Sequence, residues 1–398
     1  MGARRIGGLA KYLGRLGHEV TVLTSAISGS GPLEEAEVVR TRDLLHSGAN
    51  WRRGQLDALQ GSGQVVYGGA SRVATWVVPD LALVTWLPFV LPRALALWRR
   101  RRFDCVITSS PPQSVHLIGL ALGRGGAPWI ADFRDAWRFE RTPALEWPLA
   151  AQRRLDDALE RAEARRADAM VGVTEAISDD LRHRFGARAE TIANGFDFEQ
   201  RPAPAREGDK RTLLHTGRMA VGDRSPRWLL EALVLLREQA PELAAGVEAV
   251  FAGPLTEEEL DLMRRPELDG LVRWVGAVDH ERALALQSGA DVLILFTEEP
   301  RKGHVPAKLY EYLAARRPIL VLGEDVEAAS LVERLDAGLA APPRDPAAIA
   351  ERLRTLLTEP PPGPEDGALE SFSYERLAER MSALIDSVAG DAQSSASR

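Results

Sequence analysis

The sequence predicts an α/β protein built from two doubly wound domains, and three observations carry that expectation. Apolar strand-like runs alternate with amphipathic helical stretches, the pattern of a parallel sheet covered on both faces. The series starts afresh after RPAPAREGDKR (201–211), whose Pro, Gly and charge read as a linker. The chain of 398 residues also exceeds the size at which a single core stops growing, so two domains of roughly 150 to 200 residues are expected. Sheets of this kind bind ligands at the carboxyl ends of their strands, here facing a cleft between the domains.

The first domain, 1–200, opens on a helix at 4–16. Strands EVTVLT (19–24) and CVITSS (105–110), a helix after Pro112, strand WIADF (129–133), a long helix at 146–166 and strand AMVGVT (169–174) follow. A doubly wound sheet normally begins with a strand that becomes central. A strand ahead of the opening helix is therefore expected, which a native start upstream of Met1 would supply. The second domain, 212–372, contains TLLHTG (212–217), VEAVFAG (247–253), VRWVG (272–276), DVLILF (291–296) and PILVLG (318–323), each followed by a helical pattern. The segment EPPPGPEDG (359–367) precedes a terminal helix at 373–388, expected to pack back on the first domain, and 389–398 is expected to be a disordered tail.

Bulk properties exclude several classes. A net charge of −7 argues against a nucleic-acid partner. Cys105, alone in the apolar run CVIT, leaves no intrachain disulfide and no cysteine-ligated zinc, and fits a reducing cytoplasm. The apolar region TWVVPDLALVTWLPFVLPRALALW is broken by Pro79, Asp80, Pro88, Pro92 and Arg93, so it cannot span a membrane. Its end, Trp86–Arg102, suits shallow contact with the inner face of a membrane: Trp86, Leu87, Phe89, Val90 and Leu91 offer apolar surface, and Arg99 to Arg102 offer charge. The alternative for those arginines is a basic helix terminus complementing the dipole.

The residues that carry chemistry cluster behind strand ends. In LLHTGRMAVGDRSPRWLLEAL, Arg218 and Arg224 stand in the Gly-rich turn after a strand, and guanidinium groups bind phosphate in bidentate fashion. After DVLILF comes a loop and then HVPAKLYEYLAARRPILVLG. Pro306 suits a first helical position, the helix start offers N–H groups and a partial positive charge, and Lys308 adds a full one. Glu311, one turn on, is an acceptor only and matches paired sugar hydroxyls. As a pair, Lys308 and Glu311 could equally be a solvated contact at i,i+3. Diphosphate and ribose together suggest a nucleotide.

In the first domain, His116 falls in the first turn of a helix expected to face the cleft, as either a packed residue or a titrating group. Arg134 and Asp135 lie beyond the strand WIADF with Asp132, either at a substrate or as an ion-pair cluster ordering the loop. Arg134 cannot serve as a base, because a guanidinium stays protonated; it can stabilise charge.

These motifs resemble the group-one (family 4) retaining glycosyltransferases of the GT-B fold. The resemblance runs over nearly the whole chain, through RRIGGLAKYLGRLGHEVTVLT, SSPPQSVHLIGLAL, PWIADFRDAW, AMVGVTEAISDDL, IANGFD, HTGRM, VGAVDHERALALQSGADVLIL and PAKLYEYLAARRPIL. It implies two Rossmann-like domains facing a cleft, the first for the acceptor and the second for a nucleotide sugar. The carboxylate at Glu311 then binds ribose, and Arg218 with a later basic residue, assigned to Arg224, holds the diphosphate. Two departures stand out. Many relatives carry a second Glu ahead of the one matching Glu311, where this chain has Gly303; Glu298, Glu299 or the N–H groups of Lys302 to His304 would substitute. Many also carry a His where PWIADFRDAW offers Arg134 and Asp135.

The function expected is a retaining hexosyltransferase-type enzyme that moves sugar from a nucleotide diphosphate sugar to a saccharide or lipid-linked acceptor hydroxyl, in surface polysaccharide or glycolipid synthesis. No cofactor or metal is expected, since cationic side chains take the metal's place. A nucleotide-sugar epimerase and a catalytically silent nucleotide-sugar-binding scaffold are the alternatives.

Overall fold

The computed structural model describes residues 2–26, 31–44, 85–137, 139, 150–200, 202–206, 208–219, 225–297, 303–365 and 367–396. They fall into two compact units: the described residues up to Gly195 together with those from Phe372 onward, and Phe196–Ser371.

The first unit runs α1 (Gly2–Arg15), β1 (Val20–Ser25), β2 (Ala36–Thr41), α2 (Leu87–Arg101), β3 (Val106–Ser110), α3 (His116–Arg124), β4 (Trp129–Phe133), α4 (Ala150–Arg166), β5 (Ala169–Gly172), α5 (Glu175–Phe185) and β6 (Ala189–Thr191). Strands β1 and β2 pair in parallel, and β3-β4-β5-β6 form a parallel four-stranded sheet. Neighbouring residues of β4 point to opposite faces, and both faces are buried. Ile130 packs with Leu9, Tyr12 and Leu13 of α1, while Trp129 and Phe133 pack with Ile177 and Leu181 of α5. That two-sided burial is why WIADF lacks polar alternation. Helix α5 starts where Thr174 accepts from the Ile177 N–H and stops at Gly186 with φ +62°, a capped start and a left-handed exit.

The second unit runs β7 (Arg211–Thr216), α6 (Arg227–Gln239), α7 (Pro241–Ala245), β8 (Val247–Ala252), α8 (Glu257–Met263), β9 (Val272–Trp274), α9 (His280–Gly289), β10 (Val292–Phe296), α10 (Lys308–Ala315), β11 (Ile319–Leu322), α11 (Glu327–Arg334), β12 (Gly338–Ala341) and α12 (Pro346–Thr358). Its sheet is parallel in the order β12-β11-β10-β7-β8-β9. Counting from β7 this is 3-2-1-4-5-6, which puts the topological switch point between β7 and β10. The segment 202–206, read as part of a linker, is fastened instead: the Ala205 N–H donates to the Ala285 carbonyl at 2.9 Å, and Arg206 pairs with Asp291.

The last helix, α13 (Tyr374–Ala396), lies on α1, and its Leu377, Met381, Leu384 and Val388 join the core of the first unit. The tail expected to be disordered is therefore helical as far as Ala396. Arg188 holds it there through Ser387 (2.7 Å) and Asp391 (3.0 Å).

Two further expectations change. Trp86 and Val90, offered to lipid in the sequence reading, are buried with Ala94 and Ile118, and the Trp86 indole N–H donates to Thr41 Oγ1 at 2.8 Å. Of the basic run, Arg101 pairs with Glu37. Among the described residues, no helix is long and apolar enough to cross a membrane.

Candidate functional site

Strand β7 is buried through Leu213, Leu214, His215 and Thr216, and the chain leaves it through Gly217 at φ +94°. A side chain at 217 would be strained by that angle and would also collide with Lys308, whose Cε lies 2.6 Å from the position of an added β-carbon. The lysine of α10 thus lies over the turn that follows β7. Arg218, next in the chain, is half-buried and makes no hydrogen bond or ion pair with another described residue. Burial pulls its pKa below the ordinary guanidinium value, yet it stays charged.

Helix α10 buries Leu309, Tyr310, Tyr312 and Leu313 and leaves Lys308 and Glu311 half-buried. Pro306 does not occupy the first helical position. It precedes the N-cap Ala307, because the Leu309 N–H reaches back to the Pro306 carbonyl at 2.9 Å and closes a tight turn before the helix proper. Gly303 is buried. Arg224, Glu298, Glu299 and Lys302 lie outside the described residues.

A buried polar network, missed in the sequence, joins these pieces. The Tyr312 hydroxyl accepts from the Thr216 N–H at 3.1 Å and lies 3.3 Å from Thr216 Oγ1. Gln287 Nε2 of α9 donates to Thr216 Oγ1 at 2.9 Å and to Glu311 Oε2 at 3.4 Å. Burial pushes the Tyr312 phenol up to about 12, so it acts as a neutral donor and acceptor. Its sequence signal is faint: a Gln amid the apolar ALAL pattern of α9, and a Tyr whose helical spacing reads as core. Together, Thr216 to Arg218, Lys308 and Glu311 occupy the carboxyl end of β7 beside the start of α10, two cations and one carboxylate at the switch point. Such a set can neutralise a diphosphate and accept from neighbouring hydroxyls.

In the first unit the sequence candidates are held inward. His116 is wholly buried. Its Nδ1 lies 2.7 Å from Thr108 Oγ1, which also accepts from the Trp129 indole at 2.8 Å, and its ring stacks 4.4 Å from Phe133. Burial drives the imidazole pKa down to about 3 against the pull of Asp132, so the ring is neutral and sealed from solvent, not cleft-facing as expected. Arg134 donates from Nε to the Ser110 carbonyl at 2.8 Å and from Nη2 to the Pro111 carbonyl at 2.6 Å, bracing the end of β3. Asp132 accepts two bonds from the buried Arg5, at 3.1 and 2.8 Å, and one from Ser109 at 2.6 Å. Burial works to raise its pKa, but the Arg5 charge and these bonds hold the carboxyl below the usual range. Asp135 is half-buried beside them.

Comparison with known proteins gives a consistent picture. The profile of Glycosyltransferase Family 4 matches residues 2–200, and that of Glycosyl transferases group 1 matches 210–359. The glycogen synthase of Mycobacterium tuberculosis (strain CDC 1551 / Oshkosh) is 28% identical over 228 residues, 54% of this chain and 51% of that protein. The chain thus spans about half the length of the curated relatives it matches. Among solved structures, sucrose-phosphate synthase from Thermosynechococcus elongatus superposes with a TM-score of 0.65 at 16% identity, covering 96% of this chain and 92% of that one. The N-terminal domain of trehalose-6-phosphate phosphatase from Candida albicans gives 0.66 at 14%, covering 97% and 95%. A glycosyltransferase from Rickettsia africae ESF-5 gives 0.61 at 13%, also covering 97% and 95%. At these identities the structural likenesses show a shared fold.

Proposed function

This chain belongs to the group-one glycosyltransferases of family 4, and from that premise we propose that it transfers a sugar from a nucleoside diphosphate sugar to an acceptor hydroxyl. One observation carries the donor half of the reading: Arg218, Lys308 and Glu311 gather at one strand end, joined through Gly217, Thr216 and Gln287. Arg218 and Lys308 take the diphosphate, with the N–H groups at the start of α10 behind them. As the glycosidic bond breaks, negative charge grows on the departing diphosphate. Fixed cations stabilise that charge more than the ground state, which is the condition for catalysis. Glu311 takes the hydroxyls of the nucleotide's pentose.

Transfer proceeds with retention of the anomeric configuration, a reading supported by the family resemblance. The first unit holds the acceptor, with Arg134 and Asp135 as the sequence-selected groups there that are not fully buried. A saccharide hydroxyl is the first acceptor to try, in view of the relatives named glycogen synthase and sucrose-phosphate synthase; a lipid-linked one is the second. A reducing cytoplasm suits a chain whose lone cysteine, Cys105, is half-buried, with its thiol pushed up to about 12 by desolvation. For a lipid-linked acceptor at the inner membrane face, the contact surface of α2 is limited to exposed groups such as Arg93, Arg99 and Arg100.

The test is a panel of UDP-, GDP-, ADP- and dTDP-sugars incubated with oligosaccharide acceptors. Release of nucleoside diphosphate should depend on the acceptor, and proton NMR of the first-formed product should show the anomeric configuration of the donor. Binding of a nucleotide sugar with no turnover on any acceptor would instead favour a silent scaffold.

A further inference from the structure

Gln287 lies on the buried face of α9 with Ala285 and Leu286, with 1% of its surface exposed. Burying an amide is unfavourable unless its donors and acceptor are matched. Its Nε2 is matched twice, by Thr216 Oγ1 at 2.9 Å and Glu311 Oε2 at 3.4 Å, whereas its Oε1 is buried with no partner. An apolar side chain of the same length would fill the space and remove that unmet acceptor, so packing does not account for the amide. What the amide alone supplies is a pair of N–H bonds aimed at two acceptors. One is the last residue of β7, immediately before Gly217 and Arg218; the other is the carboxylate of Glu311. A bond to an ionised acceptor is stronger and more directional than a neutral one.

We infer that Gln287 is a positioning residue of the donor site: it fixes the Glu311 carboxylate in the orientation that receives the pentose hydroxyls and ties it to the strand end carrying Arg218. The inference rests on the nucleotide reading set out above. Tyr312 holds α10 to Thr216 by separate bonds, so removing the amide loosens the carboxylate while the helix stays docked.

The experiment is isothermal titration calorimetry with UDP, GDP, ADP and dTDP in turn, and with inorganic pyrophosphate as a probe lacking the pentose. Gln287→Met should bind the preferred nucleoside diphosphate about tenfold more weakly, from the loss of one hydrogen bond to a charged group. Its pyrophosphate affinity and melting temperature should not fall. In a Glu311→Ala background the same substitution should cost nothing further. Unchanged nucleotide affinity in a folded Gln287→Met protein, an equal loss for pyrophosphate, or a loss that simply adds to that of Glu311→Ala would each overturn the positioning role. If Gln287→Met fails to fold, Gln287→Leu also removes the donors without adding a charge and is read by the same outcomes. A wild-type protein that binds none of the four nucleotides would overturn the nucleotide reading itself, and this inference with it; nucleotide binding weakened by Glu311→Ala but not by Gln287→Met would overturn this inference alone.

Discussion

The side chain of Lys308 crosses directly over Gly217, in the space a β-carbon at 217 would need. One glycine therefore meets two demands, a φ of +94° and room for the ammonium end of a lysine. Gly217→Ala should lower stability by about 1–2 kcal/mol through the backbone conformation alone and should also displace the ammonium. Urea denaturation should show the first effect and weaker pyrophosphate binding the second; a substitution that leaves both unchanged would contradict the packing described.

In the proposed reaction Arg218 is one of the two cations that take the charge on the departing diphosphate. Replacing it with Ala should lower kcat/KM for the donor sugar by roughly 100-fold, the scale seen when a single charge-stabilising donor is removed. Arg218→Lys should recover part of the loss, since a point charge remains but the bidentate fork does not. Steady-state kinetics on the two variants decide this, and equal rates for wild type and Arg218→Ala would remove the residue from the reaction.

How much of this could be read from the sequence depended on how local each signal was. Strands such as Val292–Phe296 and Trp129–Phe133 announce themselves as apolar runs, and the doubly wound fold follows from their spacing. Ala36–Thr41, Ala189–Thr191 and Gly338–Ala341 escaped; the first is half-exposed, the second has three residues, and GLAA contains no β-branched residue. Arg218, Lys308 and Glu311 stood out because charges next to a strand or helix end are conspicuous. Thr216, Gln287 and Tyr312 did not, since a polar group in a core-like pattern shows its purpose only through partners 24 to 96 residues away. For His116 the packed alternative holds and the cleft-facing expectation does not, because Thr108 and Phe133, which enclose it, arrive from two strands remote from its own turn.

The enclosed His116 makes stability depend on pH. Its native pKa, about 3, lies below that of an unfolded histidine, so between those values the unfolded chain binds the extra proton. Stability is complete above about pH 6.5 and falls as the solution is acidified towards 3, by up to a few kcal/mol. Urea midpoints measured from pH 7 to 5.5, above the carboxylate range, should fall for the wild type and flatten for His116→Gln.

The Arg5 and Asp132 pair is buried at 2% and 1% exposure. Removing Arg5 alone, as in Arg5→Met, leaves an uncompensated carboxylate and should cost about 3–5 kcal/mol. The double change Arg5→Met with Asp132→Asn should cost distinctly less than the sum of the two single changes. Because the Asp132 carboxyl is held below its unfolded pKa, its contribution is present above that unfolded value and lost as the pH drops below it. A denaturation double-mutant cycle that came out additive would mean the pair is energetically uncoupled.

Helix α13 completes the hydrophobic interior of the first unit, yet it is encoded after all of Phe196–Ser371. At Gly8 the two helices approach so closely that a β-carbon would stand 2.6 Å from Cε2 of the Tyr374 ring. A ribosome making this chain from its amino end therefore finishes the uninterrupted unit while its predecessor still waits for a covering helix. The segment synthesised early keeps the apolar face of α1 uncovered until α13 emerges.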